Sequence, residues 1–274
     1  MVKKLLKYDF RSVSRLVFPF TLAVFAASLL GTVALKTMIL ITDDGFQPPW
    51  PAVVSIIIGG ICVILIIATG LAIIAFSTGT VIMSYARYYT NCFTDEGYLT
   101  FTLPVKTSTH LHAKIINTFL WFLYSGFISV FCVFFILSFG TSSAFFNTEI
   151  YKTILDILKS VFFEDLHLYI IEYLFLGLLG VLYNIVLIFA CITIGSIVAK
   201  KQKVLAAIGI YYGTNLILSI PMNIFSVFIL MLNENNPAFI PHAYCILYSI
   251  LFIVLGLVAY FFCRHLLQNK LNLA

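Results

Sequence analysis

Six long stretches without a charged residue dominate this sequence. They cover residues 16–35, 45–86, 115–148, 173–199, 204–233 and 235–263. A helix needs roughly 20 apolar residues to cross the hydrocarbon core of a bilayer, so each stretch is long enough for one span. The stretches therefore predict six transmembrane helices, placed near residues 17–40, 53–78, 112–138, 170–198, 204–231 and 243–263.

The composition excludes a soluble domain. Hydrophobic residues make up 62% of the chain and charged residues only 10%, whereas a soluble domain carries about 25% charged residues to cover its surface. A chain that lies mostly in the hydrocarbon core of a bilayer explains both the high hydrophobic fraction and the low charged fraction. The predicted fold class is an all-α integral membrane protein, with residues 1–274 forming a single transmembrane domain.

The basic residues predict the orientation of the spans. With the N-terminus in the cytoplasm, 13 of the 16 basic residues lie on the cytoplasmic side and three lie outside, as the positive-inside rule requires. The cytoplasmic ones are Lys3, Lys4, Lys7, Arg11, Arg15, Arg87, Lys106, Lys114, Lys200, Lys201, Lys203, Arg264 and Lys270. Both termini are therefore predicted to be cytoplasmic. The net charge of +5 belongs to loops beside anionic lipid rather than to a nucleic-acid surface.

Two further segments are amphipathic. Residues 1–15 place Lys3, Lys7 and Arg11 on one side and apolar residues on the other, which is typical of a helix lying in the headgroup plane. A plain basic flank that orients the first span is the alternative. Residues 148–163, between the third and fourth spans, have a similar pattern and predict a helix on the outer leaflet.

Catalytic and cofactor motifs are missing from the sequence. It contains neither a phosphate-binding GxxxxGK[ST] loop nor a zinc-binding HExxH motif. His110 and His112 are two residues apart, so on a helix they point in different directions and make poor joint metal ligands. The six cysteines form no CxxC pair and are interpreted as small apolar residues. No metal, bound cofactor or catalytic residue is predicted for this chain.

The fifth span contains a proline. Pro221 should kink the helix or be compensated by neighbours, and Asn215 and Asn223 are candidates for hydrogen bonds between helices there. In the fourth span, Gly177 and Gly180 are candidates for close helix packing. All five residues are interpreted as packing residues.

The most distinctive sequence lies between the second and third spans, in residues 87–114. Asp95, Glu96 and Gly97 should break one helix, and Pro104 should break or begin the next. The apolar residues between these breaks are Leu99, Phe101 and Leu103. A cytoplasmic apolar segment held between helix ends suits the docking of a soluble partner. A solvated loop tucked against the helix ends is the alternative.

Three elements follow one another along this segment, namely Glu96-Gly97, Leu103-Pro104-Val105 and Lys114 at the start of the third span. This order resembles the permeases of type-2 ABC exporters, in which an acidic-Gly, leucine-rich and Leu-Pro pattern links the second and third spans. The layout of a basic amphipathic N-terminus, six spans and cytoplasmic ends resembles the same family.

The resemblance implies a transmembrane subunit that partners a separate ATP-binding subunit. ATP and magnesium would belong to that partner, and a second permease chain, identical or related, would complete the substrate path. The residues that would contact the ATPase are Arg87, Asp95, Glu96, Gly97, Leu99, Phe101, Leu103 and Pro104. The same resemblance implies the cell membrane of a bacterium.

Two other classes of function remain open at this point. One is a non-transporting membrane module, such as an immunity, sensor or assembly factor. The other is an ion-coupled carrier or a membrane enzyme, which the scarcity of intramembrane acids disfavours because Glu172 lies near the outer end of the fourth span. Spans rich in phenylalanine and poor in polar residues favour an amphipathic or hydrophobic cargo, such as a peptide antibiotic or a lipid.

Overall fold

Seven α-helices make up the secondary structure of the residues described in the computed structural model, which are 2–43, 51–94, 97, 107–141, 148–161, 166–199, 201–232 and 240–269. In chain order they are α1 (Val2–Thr42), α2 (Ala52–Phe93), α3 (Thr107–Gly140), α4 (Thr148–Val161), α5 (Leu166–Val198), α6 (Lys203–Leu232) and α7 (Ile240–Asn269). The predicted all-α fold is confirmed, and no strand occurs in these ranges.

Within the same ranges, six helices (α1, α2, α3, α5, α6 and α7) are long and apolar enough to cross a membrane. Their outward faces carry large aliphatic side chains, and Leu22, Ile56 and Leu216 are each about 70% exposed. Apolar surface on this scale is not stable in water. The chain is therefore a multi-pass α-helical membrane protein, as the uncharged stretches predicted.

The first two helices are much longer than a bilayer requires. α1 has 41 residues and α2 has 42, so each is about 60 Å long at roughly 1.5 Å per residue, about twice the hydrocarbon thickness. The second span is predicted to end near residue 78, with helix-compatible residues continuing to Tyr89, and α2 runs through Gly79 to Phe93. α5, α6 and α7 have 30–33 residues and match one crossing.

The predicted N-terminal amphipathic segment is helical but not separate. Residues 2–15 are the first turns of α1, which continues through Pro19 into the first span. Val13 is buried, and the ring of Phe10 stacks on Trp121 with centroids 4.6 Å apart. Part of the apolar side that was expected to face lipid thus packs against α3. A position of this segment in the headgroup plane stays a prediction.

The chain forms two compact units. The α1–α3 unit comprises Tyr8–Ser84 and Leu120–Ile154, and the α5–α7 unit comprises Met1–Lys7, Tyr85–Phe119 and Leu155–Ala274. The ends of α2 and α3 that adjoin their connection therefore belong to the α5–α7 unit, while the rest of both helices belongs to the other unit.

The core of the α1–α3 unit surrounds Trp121, which is completely buried. Its neighbours in this cluster are Val13, Val17, Val24, Ile73, Phe76, Ile128 and Cys132. Close approach of α1 and α2 occurs at Gly31, where an added Cβ would lie 2.8 Å from Thr69 Oγ1. The Thr69 hydroxyl donates to the Leu65 carbonyl of its own helix at 2.7 Å and lies 3.3 Å from the Ala27 carbonyl of α1. Small residues let transmembrane helices approach in this way.

In the α5–α7 unit, α5 packs extensively against both α6 and α7, which contact each other much less. The closest helix approach is at Gly195 of α5, where an added Cβ would lie 2.6 Å from the backbone nitrogen of Ala207 on α6. Of the two glycines predicted to allow close packing, Gly180 lies against Phe252 but Gly177 faces open space. Among the described residues no helix packs against Gly177, and close packing there stays a prediction.

Candidate functional site

The candidate site is the base of the connection between α2 and α3. Two of the eight residues predicted to contact an ATPase are described. Arg87 is half-buried near the end of α2, and Gly97 is buried, with its N–H donating to the Thr94 carbonyl at 2.7 Å. The other six, which lie outside the described residues, are Asp95, Glu96, Leu99, Phe101, Leu103 and Pro104.

The helix ends that carry this connection are built into the core of the α5–α7 unit. A buried cluster joins the last turns of α2 and the first turns of α3 to the middle of α5 and the end of α7. Its members are Tyr88, Cys92, Leu111, Ile185, Phe189, Ala190, Cys263 and Leu267. We call this set the Tyr88 cluster. The connection is thus attached to two helices that are distant from it in sequence.

Tyr88 makes the most specific contacts of the cluster. Its side chain is completely buried, and its ring stacks on Phe189 with centroids 4.0 Å apart and an interplanar angle of 18°. Its hydroxyl lies 2.8 Å from Thr193 Oγ1. Because Thr193 donates to the Phe189 carbonyl, the Tyr88 hydroxyl is the donor between them. Cys263 Sγ lies 3.6 Å from the same hydroxyl, so one tyrosine of α2 bridges α5 and α7.

Further aromatic rings hold the last turns of α2. Tyr85 meets the edge of Phe189 at 5.9 Å, and Phe93 meets Tyr88 edge-to-face at 5.8 Å and stacks on Tyr89 at 6.1 Å. Such ring pairs contribute about 0.5–1.5 kcal/mol each beyond the apolar area that they bury. Tyr85 and Tyr88 therefore attach α2 directly to α5, whereas Phe93 packs on the tyrosines of its own helix.

The described part of the site consists mainly of buried aromatic and small apolar side chains. In the described ranges, no group of three His, Cys, Asp or Glu side chains could hold a metal ion. All six cysteines are buried and free, as expected for small apolar residues. His110 is buried whereas His112 is exposed, so the two do not act together. What this arrangement can do is transmit a displacement of the connection to α5 and α7.

The packing residues predicted for the fifth span take different roles. Pro221 lies inside α6. Asn215 Nδ2 donates to the carbonyl of Tyr211 in the same helix at 2.9 Å, and Asn223 is exposed. A bond from Asn215 to another helix stays a prediction, and the contact shown is the one to its own helix, because a short side chain easily reaches the carbonyl one turn earlier.

Tyrosines of α7 supply the bonds between helices near Pro221. The Tyr244 hydroxyl donates to the Ser226 carbonyl at 2.8 Å, and the Tyr248 hydroxyl donates to the Met222 carbonyl at 3.3 Å. A phenol reaches across a helix interface that an amide does not. Tyrosines in the sixth uncharged stretch were the sequence signal for these contacts.

A pair of ionisable residues connects α5 and α7 near their N-terminal ends, away from the Tyr88 cluster. His242 Nδ1 lies 2.7 Å from Glu172 Oε2, and Tyr169, itself buried, stacks on the His242 ring at 4.2 Å. Sequence reasoning treated Glu172 as a boundary residue and did not single out His242. The predicted topology places both residues at the same membrane face, and this was the sequence signal that could have suggested their contact.

Comparison with known proteins adds no relative. Neither a protein-family model, nor a curated protein, nor a solved structure matches the chain. The fold alone defines the class, a multi-pass α-helical membrane protein with six helices able to span a bilayer among the described residues.

Proposed function

We propose that this chain is the transmembrane permease subunit of an ATP-driven ABC export complex. ATP and magnesium bind a separate ATP-binding subunit, and two permease chains, identical or related, surround the path of the substrate. The chain resides in a bacterial cell membrane with both termini in the cytoplasm, which the distribution of basic residues supports.

The observation that carries the proposal is the Tyr88 cluster. A connection that only joined two spans would need no buried anchor at its base. Here the helix ends on both sides are packed onto α5 and α7, and a buried hydrogen bond fixes the register of Tyr88 against Thr193. Closure of an ATPase against the connection would move these helices together, which is a rigid-body switch between inward- and outward-facing states.

The cargo proposed is amphipathic or hydrophobic, such as a peptide antibiotic or a lipid, taken from the cytoplasm or the inner leaflet. The surfaces of α5, α6 and α7 support this because their exposed residues are almost all aliphatic or aromatic. Polar cargo such as a sugar would need hydrogen-bonding groups along its path. Stimulation of ATP hydrolysis by hydrophilic sugars alone would contradict this choice of cargo.

Recovery of an ATP-binding subunit with the tagged chain tests the proposal. The wild type is compared in mild detergent with a Glu96→Arg, Leu103→Asp double variant. The matched control is Asp156→Arg, Leu155→Asp, which makes the same changes on exposed positions of α4. We expect an ATPase with the wild type and the control but not with the double variant. A folded wild type that recovers no ATPase would instead favour the non-transporting module.

A further inference from the structure

A groove of about 370 Å³ lies along α5 and α7. It extends from the middle of both helices toward the end at which α7 stops, and its apolar wall is formed by Leu179, Leu182, Val186, Ile253 and Leu257. Ile253 and Leu257 are about half exposed, so the groove opens to the side. Because both helices span the membrane, this open side is accessible to acyl chains.

A glycine gives the groove its depth. Gly256 contributes no side chain to the wall, and an added Cβ would make only an ordinary contact, 3.9 Å from Tyr183 Cδ2. The helices therefore do not require a glycine for their own packing at this position. A larger side chain here would project into the groove.

One end of the groove is polar, whereas the rest is apolar. His112 Nε2, from the first turns of α3, lies 2.9 Å from the Tyr260 hydroxyl. Their rings stack with centroids 5.3 Å apart and an interplanar angle of 11°. An imidazole and a phenol at the end of an apolar groove supply hydrogen-bonding groups for the polar part of an amphiphile.

The charge at this end is positive. Arg264 follows Tyr260 by four residues on α7, so the two side chains lie on the same face of the helix, one turn apart. No ion pair joins Arg264 to another side chain in the described ranges. Of the three helices that line the groove, only α5 carries an acid, Glu172, and that residue lies at its opposite end. The polar end is therefore complementary to an anion.

We propose that this groove is a binding site for an anionic membrane phospholipid. One acyl chain lies along α5 and α7, and the phosphate headgroup is bound by Arg264 with His112 and Tyr260 beside it. The site does not depend on the proposed export function, because its apolar length and its basic end are sufficient for lipid binding in any membrane protein of this fold.

A second groove of the α5–α7 unit shows, by contrast, that the polar end is what distinguishes the proposed lipid site. It has a volume of about 300 Å³ between α5, α6 and α7, and its lining is apolar except for Tyr183, Cys191 and Thr214. The Thr214 hydroxyl already donates to its own helix, to the Ile210 carbonyl at 2.9 Å. That groove can accept any hydrocarbon chain, whereas the groove ending at His112 and Tyr260 has Arg264 one helical turn further along α7 to select an anionic headgroup.

Native mass spectrometry of the full-length protein tests the site, with phosphatidylglycerol and phosphatidylcholine of identical acyl chains added in equal amounts. We expect the wild type to retain phosphatidylglycerol in preference. Arg264→Gln should weaken retention about fivefold to tenfold, as loss of one cationic contact implies. Lys201→Gln, which removes an exposed charge between α5 and α6, should leave it unchanged.

A second pair of variants tests the acyl-chain groove. Gly256→Leu fills it and should abolish the preference for phosphatidylglycerol, whereas Gly213→Leu adds the same side chain where nothing lies within 4 Å of the Cβ and should not. Phosphatidylglycerol with a photoreactive acyl chain should label residues 179–186 and 253–257.

Three results would overturn the proposal. They are equal retention of both lipids by the wild type, unchanged retention in a folded Arg264→Gln variant, and labelling confined to residues 8–84 and 120–154. If Gly256→Leu fails to fold, the Arg264→Gln comparison and the labelling decide the question.

Discussion

The two compact units hold their helices together in different ways. Both units contain a close helix approach, at Gly31 and at Gly195. The α1–α3 unit adds rings around Trp121 and few bonds between helices, such as that between the Thr21 and Tyr124 hydroxyls at 3.2 Å. Most hydroxyls there bond to their own helix, as Ser14 and Ser28 do. In the α5–α7 unit, tyrosine and histidine side chains bridge from one helix to another, as at Tyr88, Tyr248 and His242.

The difference bears on which contacts can change during a functional cycle. Lipid tails are as apolar as leucine, so a bilayer supplies little hydrophobic force between helices, and shape complementarity or hydrogen bonds must hold them together. Shape-matched contacts fix one packing arrangement. A few directional bonds of modest strength can exchange partners at lower cost. The unit with the bridging side chains also contains the base of the α2–α3 connection, where the proposed mechanical input enters.

The largest effect on stability is expected in the core of the α1–α3 unit. Trp121→Ala removes the stacking partner of Phe10 and the edge contact with Tyr124, and leaves a cavity in the core. We expect a loss of about 3 kcal/mol or more in the free energy of unfolding, measured by denaturant titration in mixed micelles. Phe127→Ala on the same helix, where the side chain is 69% exposed, should cost far less. Equal losses would mean that Trp121 is not a core residue.

The next largest effect on stability is expected at a glycine of the α5–α7 unit. Gly195→Ala places a Cβ against the backbone of Ala207, so α5 and α6 must separate, at a cost of about 1–3 kcal/mol. Gly209→Ala meets nothing within 4 Å and should instead raise helix stability by up to about 1 kcal/mol. Opposite signs of the change in unfolding free energy are expected. A stabilising Gly195→Ala would refute the close approach of the two helices.

Removal of the bridging hydroxyl should cost little stability. Tyr88→Phe keeps the ring on Phe189 but loses the bond to Thr193, and hydrogen bonds between transmembrane helices contribute on average about 0.6 kcal/mol. If the cluster transmits movement, substrate-stimulated ATP hydrolysis by the reconstituted complex should fall clearly while stability barely changes. Tyr212→Phe, at an exposed position, is the matched control. Full activity of Tyr88→Phe would remove the proposed role of this bond.

The smallest effect is expected at the ionisable pair. The side chains of His242 and Glu172 are 19% and 33% exposed, and many partly solvated ion pairs contribute little, so we expect less than about 0.5 kcal/mol. Glu172→Gln should therefore change the unfolding free energy by less than that. Export from vesicles should also persist when the proton gradient is collapsed, because ATP drives it. Export that stops with the gradient would favour an ion-coupled carrier.

The number of spans could be predicted from the sequence because a bilayer constrains the length and charge of a helix. The uninterrupted course of α1 through Pro19 could not, since a proline in a span is compensated by neighbours that only the fold supplies. The rotation of each helix about its own axis could not be predicted either. Tyr88, Thr193 and Cys263 are far apart in sequence, and their meeting depends on which faces of α2, α5 and α7 are turned together.

The central claim is that the connection between α2 and α3 docks an ATPase. Photocrosslinking in cells tests it most directly, with p-benzoylphenylalanine placed at Leu99 and, as the control, at Leu155 on the exposed face of α4. The account predicts that the probe at Leu99 captures a protein whose sequence contains the GxxxxGK[ST] phosphate-binding loop, and that the probe at Leu155 does not. Capture at Leu99 of lipid alone, or of proteins without that loop, would contradict the account.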